Sequence, residues 1–374
     1  MSLIETFKPF DIEVDYAQGD EIIAKDGTRY LDFYGGHAVA ILGHCHAGVN
    51  AAIREQSESL TFYSAAIQLD IHKQAADAVS NLLPEGVKNF FFCNSGAEAN
   101  ENALKLAIRK TGRQRLAAFK GSFHGRTLLC TAVTDEPGTH AELGAWIGNR
   151  VDFLNPNDFL QLESLTKDHA AIILEPIQSM AGIFEFHPDY LQALRLRCTE
   201  LGIWLIFDEI QTGLFRCEAP YLSGQIVTPD IITSAKGLGN GYPVGMLAIS
   251  DAIRAQLKPN DLGSTFGGGP TAMAAVKAVA DALSDPDLQA NVASLELGFK
   301  ALTEIEGVVE VRGKGCLIGV QTTMPAAQLQ KELLQRGIIV GTSKQPNTIR
   351  LMPPLNMPAF RVETLRSALT QILS

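Results

Sequence analysis

The chain has 374 residues, a formal net charge of −10 and a hydrophobic content of 46%. This length exceeds the usual size of one hydrophobic core, so two domains around a substantial interior are expected. No apolar run approaches the ~18 residues of a membrane-spanning helix, and the acidic balance argues against a nucleic-acid partner. The composition therefore excludes membrane and nucleic-acid-binding classes and favours a soluble α/β protein.

The amino-terminal residues MSLIETFKPFDIEVD lack a basic segment followed by an apolar core, so no secretory signal is expected. The cysteines are scattered without the CxxC spacing of a zinc site, at Cys45, Cys93, Cys130, Cys198, Cys217 and Cys316. Such a distribution is typical of reduced thiols in the cytosol. We therefore expect a cytoplasmic protein without a structural zinc ion.

Apolar strand-like runs alternate with helical stretches of 3.6-residue period between about residues 46 and 280. These runs cover residues 89–92, 116–119, 170–174, 204–207, 231–233 and 246–249. Strands separated by helices predict a largely parallel sheet covered on both faces.

The carboxy-terminal part of the chain has a different pattern. It contains predicted strands at 308–311, 317–321, 338–341 and 348–351 and predicted helices at 326–335 and 359–373. This order is typical of a smaller α+β domain. We place its boundary with the larger domain near residues 281–287.

The start of a helix at Ser95, Gly96 and Ala97 is a candidate anion site. Ser95 is well placed as the N-cap, and Glu98 three residues later completes a capping-box pattern. Exposed N–H groups at a helix start, together with the positive end of the helix dipole, bind a dianionic phosphate. The alternative is a well-capped helix without a ligand, and the local pattern alone does not favour the phosphate.

An acidic residue and a lysine follow two buried strands farther along the chain. Asp208 follows the apolar run 204–207, and Lys236 leaves the run 231–235 into a glycine-rich stretch. Pyridoxal phosphate requires such a pair, because it needs an amine for a Schiff base and a carboxylate that keeps its ring nitrogen protonated. Burial also reduces a lysine's preference for its charged form. An aspartate that caps a turn and an ordinary exposed lysine are the alternative.

The flanking motifs decide between these interpretations. They are, in chain order, FCNSGAEANENALK, FKGSFHGRT, LEPIQ, LIFDEIQTG, SAKGLGNGYPVG and GSTFGGGP. From about Tyr30 to Pro354 the chain resembles class III (fold type I) pyridoxal-phosphate aminotransferases. It is most similar to the N-acetylornithine aminotransferases and their N-acyl-ornithine and acyl-lysine relatives.

The resemblance implies a fold and a cofactor. The cofactor is pyridoxal 5'-phosphate. A large cofactor-binding domain with a mainly parallel, seven-stranded sheet is expected over residues 46–283, and a smaller α+β domain over residues 284–374. The amino-terminal segment, residues 1–45, is expected to pack with the small domain.

The resemblance also assigns roles at the cofactor. Lys236 and Asp208 are the catalytic residues, and Ser95, Gly96 and Ala97 bind the phosphate. Further cofactor contacts are expected from Phe123 and His124 in the GSFHG loop, Glu175, Ile210 and Gln211. Among these, Phe123 stacks on the ring, Ile210 presses on its other face, and Gln211 bonds the phenolic oxygen.

Two residues imply an assembly. Ser264 and Thr265 match residues that reach the phosphate bound by the other subunit. The resemblance therefore implies a homodimer with shared active sites.

Substrate binding is assigned to arginine. Both 2-oxoglutarate and an N-acylated ornithine carry carboxylates, which arginine binds through bidentate hydrogen bonds. Arg126 and Arg350 match the two family arginines with this role. The chain departs from the family's EPIQGEGG, because Met180 replaces a glutamate that in several relatives pairs with the arginine matching Arg350.

Three histidines lie close together in the sequence, at His37, His44 and His46. The resemblance places this segment at the substrate entrance. A metal site would need a further carboxylate or thiolate in fixed geometry, so no metal is expected.

The predicted function is transfer of the terminal amine of N-acetylornithine, or of a related N-acyl-ornithine or acyl-lysine, to 2-oxoglutarate. The products are a semialdehyde and glutamate, which fits arginine or lysine biosynthesis. A 4-aminobutyrate or free-ornithine aminotransferase is the first alternative. A glutamate-1-semialdehyde aminomutase is disfavoured, since that family typically reads SGTEA where this chain reads SGAEA. A protein that binds the cofactor without catalysis would be expected to lack Lys236 or Asp208.

Overall fold

The computed structural model describes residue 4, residues 9–64 and residues 66–374. The strands in the described residues are β1 Val14–Gln18, β2 Glu21–Ala24, β3 Arg29–Asp32, β4 Asn89–Cys93, β5 Arg115–Phe119, β6 Val151–Leu154, β7 His169–Leu174, β8 Ile177–Gln178, β9 Phe184–Glu185, β10 Trp204–Asp208, β11 Ile231–Ser234, β12 Gly245–Ile249, β13 Val308–Lys314, β14 Leu317–Thr322, β15 Ile338–Ile339, β16 Gly341–Thr342 and β17 Thr348–Leu351. The α-helices are α1 Gly35–Ala38, α2 Ala47–Ser59, α3 Asp70–Ser80, α4 Gly96–Thr111, α5 Leu128–Val133, α6 Pro137–Glu142, α7 Gly144–Ile147, α8 Pro188–Leu201, α9 Asp251–Arg254, α10 Pro270–Leu283, α11 Pro286–Lys300, α12 Ala326–Gln335 and α13 Arg361–Leu373. Short 3₁₀ helices lie at Phe159–Ser164, Lys236–Gly239 and Ala301–Glu304.

A seven-stranded sheet with the order β4-β12-β11-β10-β7-β5-β6 forms the centre of the molecule. Only β12 runs antiparallel to its neighbours β11 and β4, and the other pairs are parallel. The prediction of a mainly parallel α/β sheet is confirmed. The seventh strand, β6, was not among the predicted apolar runs, because its sequence VDFL carries an aspartate and lies partly exposed at the sheet edge.

Both faces of this sheet are covered by helices, as the near-continuous apolar strands require. On one face the stripe of α4, including Leu104 and Ala107, packs against Ile206 and Ile231. On the other face Tyr190 and other residues of α8 pack against β5, β7 and β10. Strands β4, β5, β7, β10 and β11 end at one edge of the sheet, which is where side chains converge in open α/β sheets.

The carboxy-terminal part forms a four-stranded antiparallel sheet with the order β13-β14-β17-β16. Helix α12 has the predicted bounds, whereas α13 begins at Arg361, two residues later than predicted. Strands β1, β2 and β3 form a separate sheet that β15 joins in parallel with β3. The predicted packing of the amino-terminal segment with the carboxy-terminal part is consistent with this pairing, and the domain boundaries at 45 and 283 stay a prediction.

The single strand predicted at 338–341 is wrong. The structure divides it into β15, which pairs with β3, and β16, which pairs with β17. A Cβ atom on Gly341 would lie 2.4 Å from the Tyr34 ring, so the backbone passes too close to that ring for any other residue. The chain changes sheets at this close approach.

None of the helices in the described ranges is both long enough and apolar enough to span a bilayer.

Candidate active site

A cavity of about 720 Å³ opens at the carboxyl edge of the central sheet. All the predicted site residues except Ser264 and Thr265 line it. The predicted residues in its lining are Ser95, Gly96, Ala97, Phe123, His124, Arg126, Glu175, Asp208, Ile210, Gln211, Lys236 and Arg350. The structure thus brings together side chains that are separated by up to a few hundred positions in the sequence.

The start of α4 forms one wall of the cavity. Ser95 is its N-cap, and its hydroxyl accepts a hydrogen bond of 3.1 Å from the Glu98 N–H. Glu98 does not complete the expected capping box with Ser95, because its carboxylate accepts instead from the Asn94 N–H at 2.7 Å. A Cβ atom on Gly96 would lie 2.6 Å from Ile210 Cδ1. Glycine at this position therefore allows the first turn of α4 to pack closely against the loop that follows β10. The first N–H groups of the helix have no intrahelical acceptor and lie beside the cavity, which suits a phosphate.

Asp208, at the end of β10, is held by a buried hydrogen-bond network. Its Oδ2 accepts from His124 Nδ1 and from Asn100 Nδ2, both at 2.7 Å, and its Oδ1 accepts from the Ile210 N–H at 3.1 Å. Asn100 is fixed in turn by Thr233, whose hydroxyl donates to Asn100 Oδ1 at 2.7 Å. The network therefore fixes the direction in which the Asp208 carboxylate faces the cavity.

Lys236 follows β11 and has a left-handed backbone with φ of 47°. Such a conformation costs about 1–3 kcal/mol for a residue other than glycine and tends to occur at functional sites. The next residue, Gly237, lies against Ile41, where a Cβ atom would be 2.8 Å from Ile41 Cδ1. Burial lowers the pKa of Lys236 to about 8, with Asp208 and Glu175 opposing the shift. A neutral amine is thus accessible near physiological pH.

Glu175 follows β7 and joins two parts of the cavity wall. Its Oε1 accepts from the Phe123 N–H at 3.0 Å, and its Oε2 accepts from the Ser179 N–H at 3.4 Å. Burial raises the pKa of Glu175 to about 7. Because both oxygens accept from backbone N–H groups, Glu175 positions the loop that carries Phe123.

The two predicted substrate arginines differ in their surroundings. Arg126 is exposed, and its guanidinium lies 5.7 Å from the centre of the Phe123 ring. Arg350, on β17, is only 5% exposed and donates from Nε to the Thr342 carbonyl and from Nη1 to Ser179 Oγ, both at 2.7 Å. Both line the same cavity. The cavity therefore has one exposed cationic side chain and one buried, hydrogen-bonded cationic side chain on its wall.

Ser264 and Thr265 do not line this cavity. Ser264 Oγ accepts from Asn94 Nδ2 at 3.1 Å, and Thr265 is exposed. Next to them, Phe266 is 65% exposed and packs on Phe62 with a ring-centre distance of 5.0 Å. Their predicted contact with the other subunit's phosphate stays a prediction.

The three amino-terminal histidines have separate partners. His44 Nε2 bonds Asp32 Oδ2 at 2.8 Å, and His46 Nδ1 accepts from the Val49 N–H at 3.4 Å. His37 bonds the Tyr34 hydroxyl at 2.5 Å and lines the cavity with it. Among the described residues, no group of three or more His, Cys, Asp or Glu side chains is arranged to hold a metal ion.

Several residues at the site were not predicted. Asn100 lies within α4, and Tyr34, Tyr242 and Thr342 come from three other parts of the chain. A polar residue that is fully buried on an otherwise apolar helix face is the signal that could have identified Asn100. The others carry no local sign of their role.

The comparisons with known proteins decide the family. The family model described as "Aminotransferase class-III" matches residues 5–373. The chain belongs to the class III aminotransferases.

Individual relatives agree over the full length of this class III aminotransferase. It is 36% identical to the acetylornithine aminotransferase of Bacillus subtilis, with 100% of this chain and 98% of that protein covered. It is 38% identical to the acetylornithine aminotransferase of Halalkalibacterium halodurans, with 99% of this chain and 96% of that protein covered. It is 33% identical to the [LysW]-aminoadipate semialdehyde/glutamate semialdehyde transaminase of Sulfolobus acidocaldarius, with 94% of this chain and 92% of that protein covered.

A solved structure of ornithine aminotransferase from Toxoplasma gondii has a TM-score of 0.90 and 26% identity, covering 99% of this chain and 91% of that one. In that structure PLP is present at partial occupancy at the active site of the protein. The predicted fold, aminotransferase activity and cofactor are confirmed for this family member. Its substrates are small amino and keto acids.

The residues of the cavity fit pyridoxal phosphate. The cofactor carries an anionic phosphate, a basic ring nitrogen and an aldehyde. The start of α4 can bind the phosphate, Asp208 can pair with the protonated ring nitrogen, and Lys236 can react with the aldehyde.

Proposed function

We propose that this aminotransferase takes the terminal amine of N-acetylornithine, or of a related N-acyl-ornithine or acyl-lysine, and transfers it to 2-oxoglutarate. The observation that carries the proposal is the 36–38% identity, over the full chain, to proteins named acetylornithine aminotransferase. The cavity supports it, because Arg126 and Arg350 lie on the wall that also contains Lys236. The donor has one carboxylate and 2-oxoglutarate has two, so a pair of arginines matches both substrates.

Lys236 and Asp208 have different roles in the proposed reaction. When bound, pyridoxal phosphate supplies an aldehyde that takes up amines and a ring that accepts electron density. We assign Lys236 Nζ as the group that would bind the cofactor and then move the proton from the donor carbon to the carbon of the cofactor's aldehyde group. Asp208, held by His124 and Asn100, maintains the negative charge that stabilises a protonated ring nitrogen. Proton transfer by a positioned amine contributes about 10²–10⁴-fold to the rate.

Arg126 and Arg350 orient the substrates. We assign the donor's single carboxylate to Arg126 and the second carboxylate of 2-oxoglutarate to Arg350. Arg350 is fixed by two hydrogen bonds, whereas Arg126 is exposed at the cavity mouth and can adjust to donors of different length. Holding reactants in this way lowers the entropic cost of the reaction.

Free ornithine is the second candidate donor. The similarity to the Toxoplasma gondii ornithine aminotransferase favours it, although at 26% identity rather than 36–38%. In free ornithine the α-amine can also react, whereas acylation blocks it. The two donors therefore make different demands on the cavity.

A panel of terminal-amine donors with 2-oxoglutarate tests the proposal. We expect kcat/KM for N-acetylornithine to exceed that for free ornithine and 4-aminobutyrate by at least about tenfold. Equal or higher efficiency with either of those two donors would overturn the donor assignment.

Chemical labelling tests the cofactor-binding lysine separately. The purified protein should show the near-visible absorption of bound cofactor, and borohydride should remove that band and leave the label on Lys236. A Lys236→Ala variant with full activity would contradict the assignment.

We further propose that the protein is a cytoplasmic homodimer in which Ser264 and Thr265 complete the partner's site. Their absence from the cavity of their own protomer and the adjacent exposed pair Phe62 and Phe266 support this. Exposed aromatic surface of this kind is typical of an interface. Phe266→Asp should lower the molar mass measured by light scattering towards the monomer, and activity should fall with it.

A further inference from the structure

The guanidinium of Arg350 is buried, and no carboxylate among the described residues contacts it. Its two hydrogen bonds go to neutral oxygens, the Thr342 carbonyl and Ser179 Oγ, each at 2.7 Å. Within the described part of the chain, no carboxylate forms an ion pair with it at 4.0 Å or less. Tyr34 and Glu175 act on it only through space. The guanidinium therefore has neutral oxygens as its direct hydrogen-bond partners, and its charge is not neutralised by contact with a carboxylate.

Burial of a charge without a contacting counter-charge is costly, so this arrangement needs an explanation. Because Arg350 lines the cavity, a substrate carboxylate can supply that contact. The hydroxyl of Ser179 accepts one N–H of Arg350 without adding charge. A carboxylate in the same place would neutralise the guanidinium and compete with the substrate.

Ser179 is held firmly by its own backbone. It is fully buried, and its N–H donates to Glu175 Oε2 at 3.4 Å. Its carbonyl accepts from the N–H groups of Gly182 at 3.1 Å and Ile183 at 3.3 Å. These bonds on both sides fix the backbone from which the hydroxyl reaches Arg350. The hydroxyl is thus a preorganised support for one edge of Arg350.

We propose that Ser179 is a specificity-determining positioning residue of this aminotransferase. It holds Arg350 through a neutral hydroxyl, and so maintains an open cationic subsite for the second carboxylate of a dicarboxylate substrate. The inference rests on the proposed function, in which the dicarboxylate is 2-oxoglutarate. A monocarboxylate donor bound through Arg126 does not depend on this subsite.

The test compares three substitutions in the holoenzyme. Ser179→Asp adds a charge, Ser179→Ala removes the hydroxyl, and Ser179→Thr keeps it. The probes are the KM for 2-oxoglutarate, the KM for N-acetylornithine, and the inhibition constant of glutarate, an unreactive dicarboxylate. Ser294→Asp is the matched control, since it adds the same charge at an exposed position on α11.

We expect Ser179→Asp to raise the glutarate inhibition constant and the 2-oxoglutarate KM at least about tenfold, the scale of a lost charge-assisted contact. The KM for N-acetylornithine and the absorption of bound cofactor should change less than about threefold. Ser179→Ala should give a smaller increase for the two dicarboxylates, and Ser179→Thr should stay close to wild type, as should Ser294→Asp.

Unchanged glutarate inhibition in Ser179→Asp would overturn the proposal. So would an equal loss for the dicarboxylates and the donor, or a Ser179→Thr variant as impaired as Ser179→Asp, because either result indicates a merely structural role. The proposed function fails in a different way. If the wild-type protein does not use N-acetylornithine, the donor assignment is wrong, while glutarate inhibition still decides the role of Ser179.

Discussion

Asn100 Nδ2 lies 2.7 Å from Asp208 Oδ2 in a fully buried setting between α4 and β10. The same amide group donates to the His124 carbonyl at 2.8 Å, so one side chain fixes both members of the His124–Asp208 pair. A side chain on α4 thereby orients the carboxylate that we assign to the cofactor ring.

Asn100→Leu should therefore weaken cofactor binding and catalysis together. A hydrogen bond to a charged group contributes about 1.5–3 kcal/mol, so kcat/KM should fall at least about tenfold. Thr233→Val removes only the bond to Asn100 Oδ1 and should have a smaller effect. Cofactor dissociation followed by absorbance, together with steady-state kinetics, measures both. Wild-type values in Asn100→Leu would contradict this role.

The sequence predicts the site where buried strands end and fails where the site is assembled from distant parts. Asp208 and Lys236 could be predicted because each directly follows an apolar run and lies within a motif that resembles the family's, whereas the runs alone left the choice open. Asn100 falls on the apolar stripe of α4, but that position does not indicate that its amide bonds Asp208. Tyr34 and Thr342 come together at the cavity through the pairing of β15 with β3 and the close approach of Gly341 to the Tyr34 ring.

The same limit applies to the fold. The apolar runs predict the buried strands within one or two residues, because β-branched and aromatic residues there must be covered on both faces. The break between β15 and β16 depends on the contact of Gly341 with the Tyr34 ring, which is a long-range event. No local pattern reports such a contact.

The lowered pKa of Lys236, about 8, predicts a pH-dependent stability of the cofactor-free protein. Below pH 8 the folded protein carries a buried cation that the unfolded chain exposes to water, and this penalty is lost as the pH rises from about 8 to the ordinary value of 10.5. Lys236→Met should therefore stabilise the cofactor-free protein at pH 7, by up to about 3 kcal/mol, and the gain should shrink towards pH 10.

Urea titrations at pH 7 and pH 10 measure this difference. Lys105→Met, which replaces an exposed lysine on α4, is the control and should change the free energy of unfolding equally little at both pH values. A gain for Lys236→Met that grows with pH would have the wrong sign for a desolvated amine.

Arg126→Ala should leave cofactor absorbance unchanged while it weakens substrate binding. If Arg126 binds a carboxylate, the lost charge-assisted pair contributes about 1.5–3 kcal/mol, and kcat/KM should fall at least about tenfold. Arg150→Ala, which removes an exposed arginine next to β6, should have no such effect. Unchanged kinetics with both donor and acceptor would place Arg126 outside the site.

Met180 lines the cavity directly after Ser179, the residue that holds Arg350. As an apolar residue it cannot neutralise Arg350, and an N-acyl donor has little need of such neutralisation, because its acylated α-nitrogen cannot react with the cofactor. This combination predicts a strong preference for the N-acyl donor over free ornithine, with glutamate readily accepted in the reverse reaction.

Met180→Glu places a carboxylate on the cavity wall that also carries Arg350. It should weaken the binding of glutamate and 2-oxoglutarate about tenfold, the scale of a competing charge pair. The KM for the N-acyl donor should change less, because the single carboxylate of that donor is assigned to Arg126. Met180→Gln has a similar shape without the charge and should retain near wild-type KM values for both dicarboxylates. Steady-state kinetics in both directions separate these outcomes. If Met180→Glu weakened donor and acceptor binding equally, or if Met180→Gln were as impaired as Met180→Glu, the shape rather than the charge of residue 180 would determine substrate specificity.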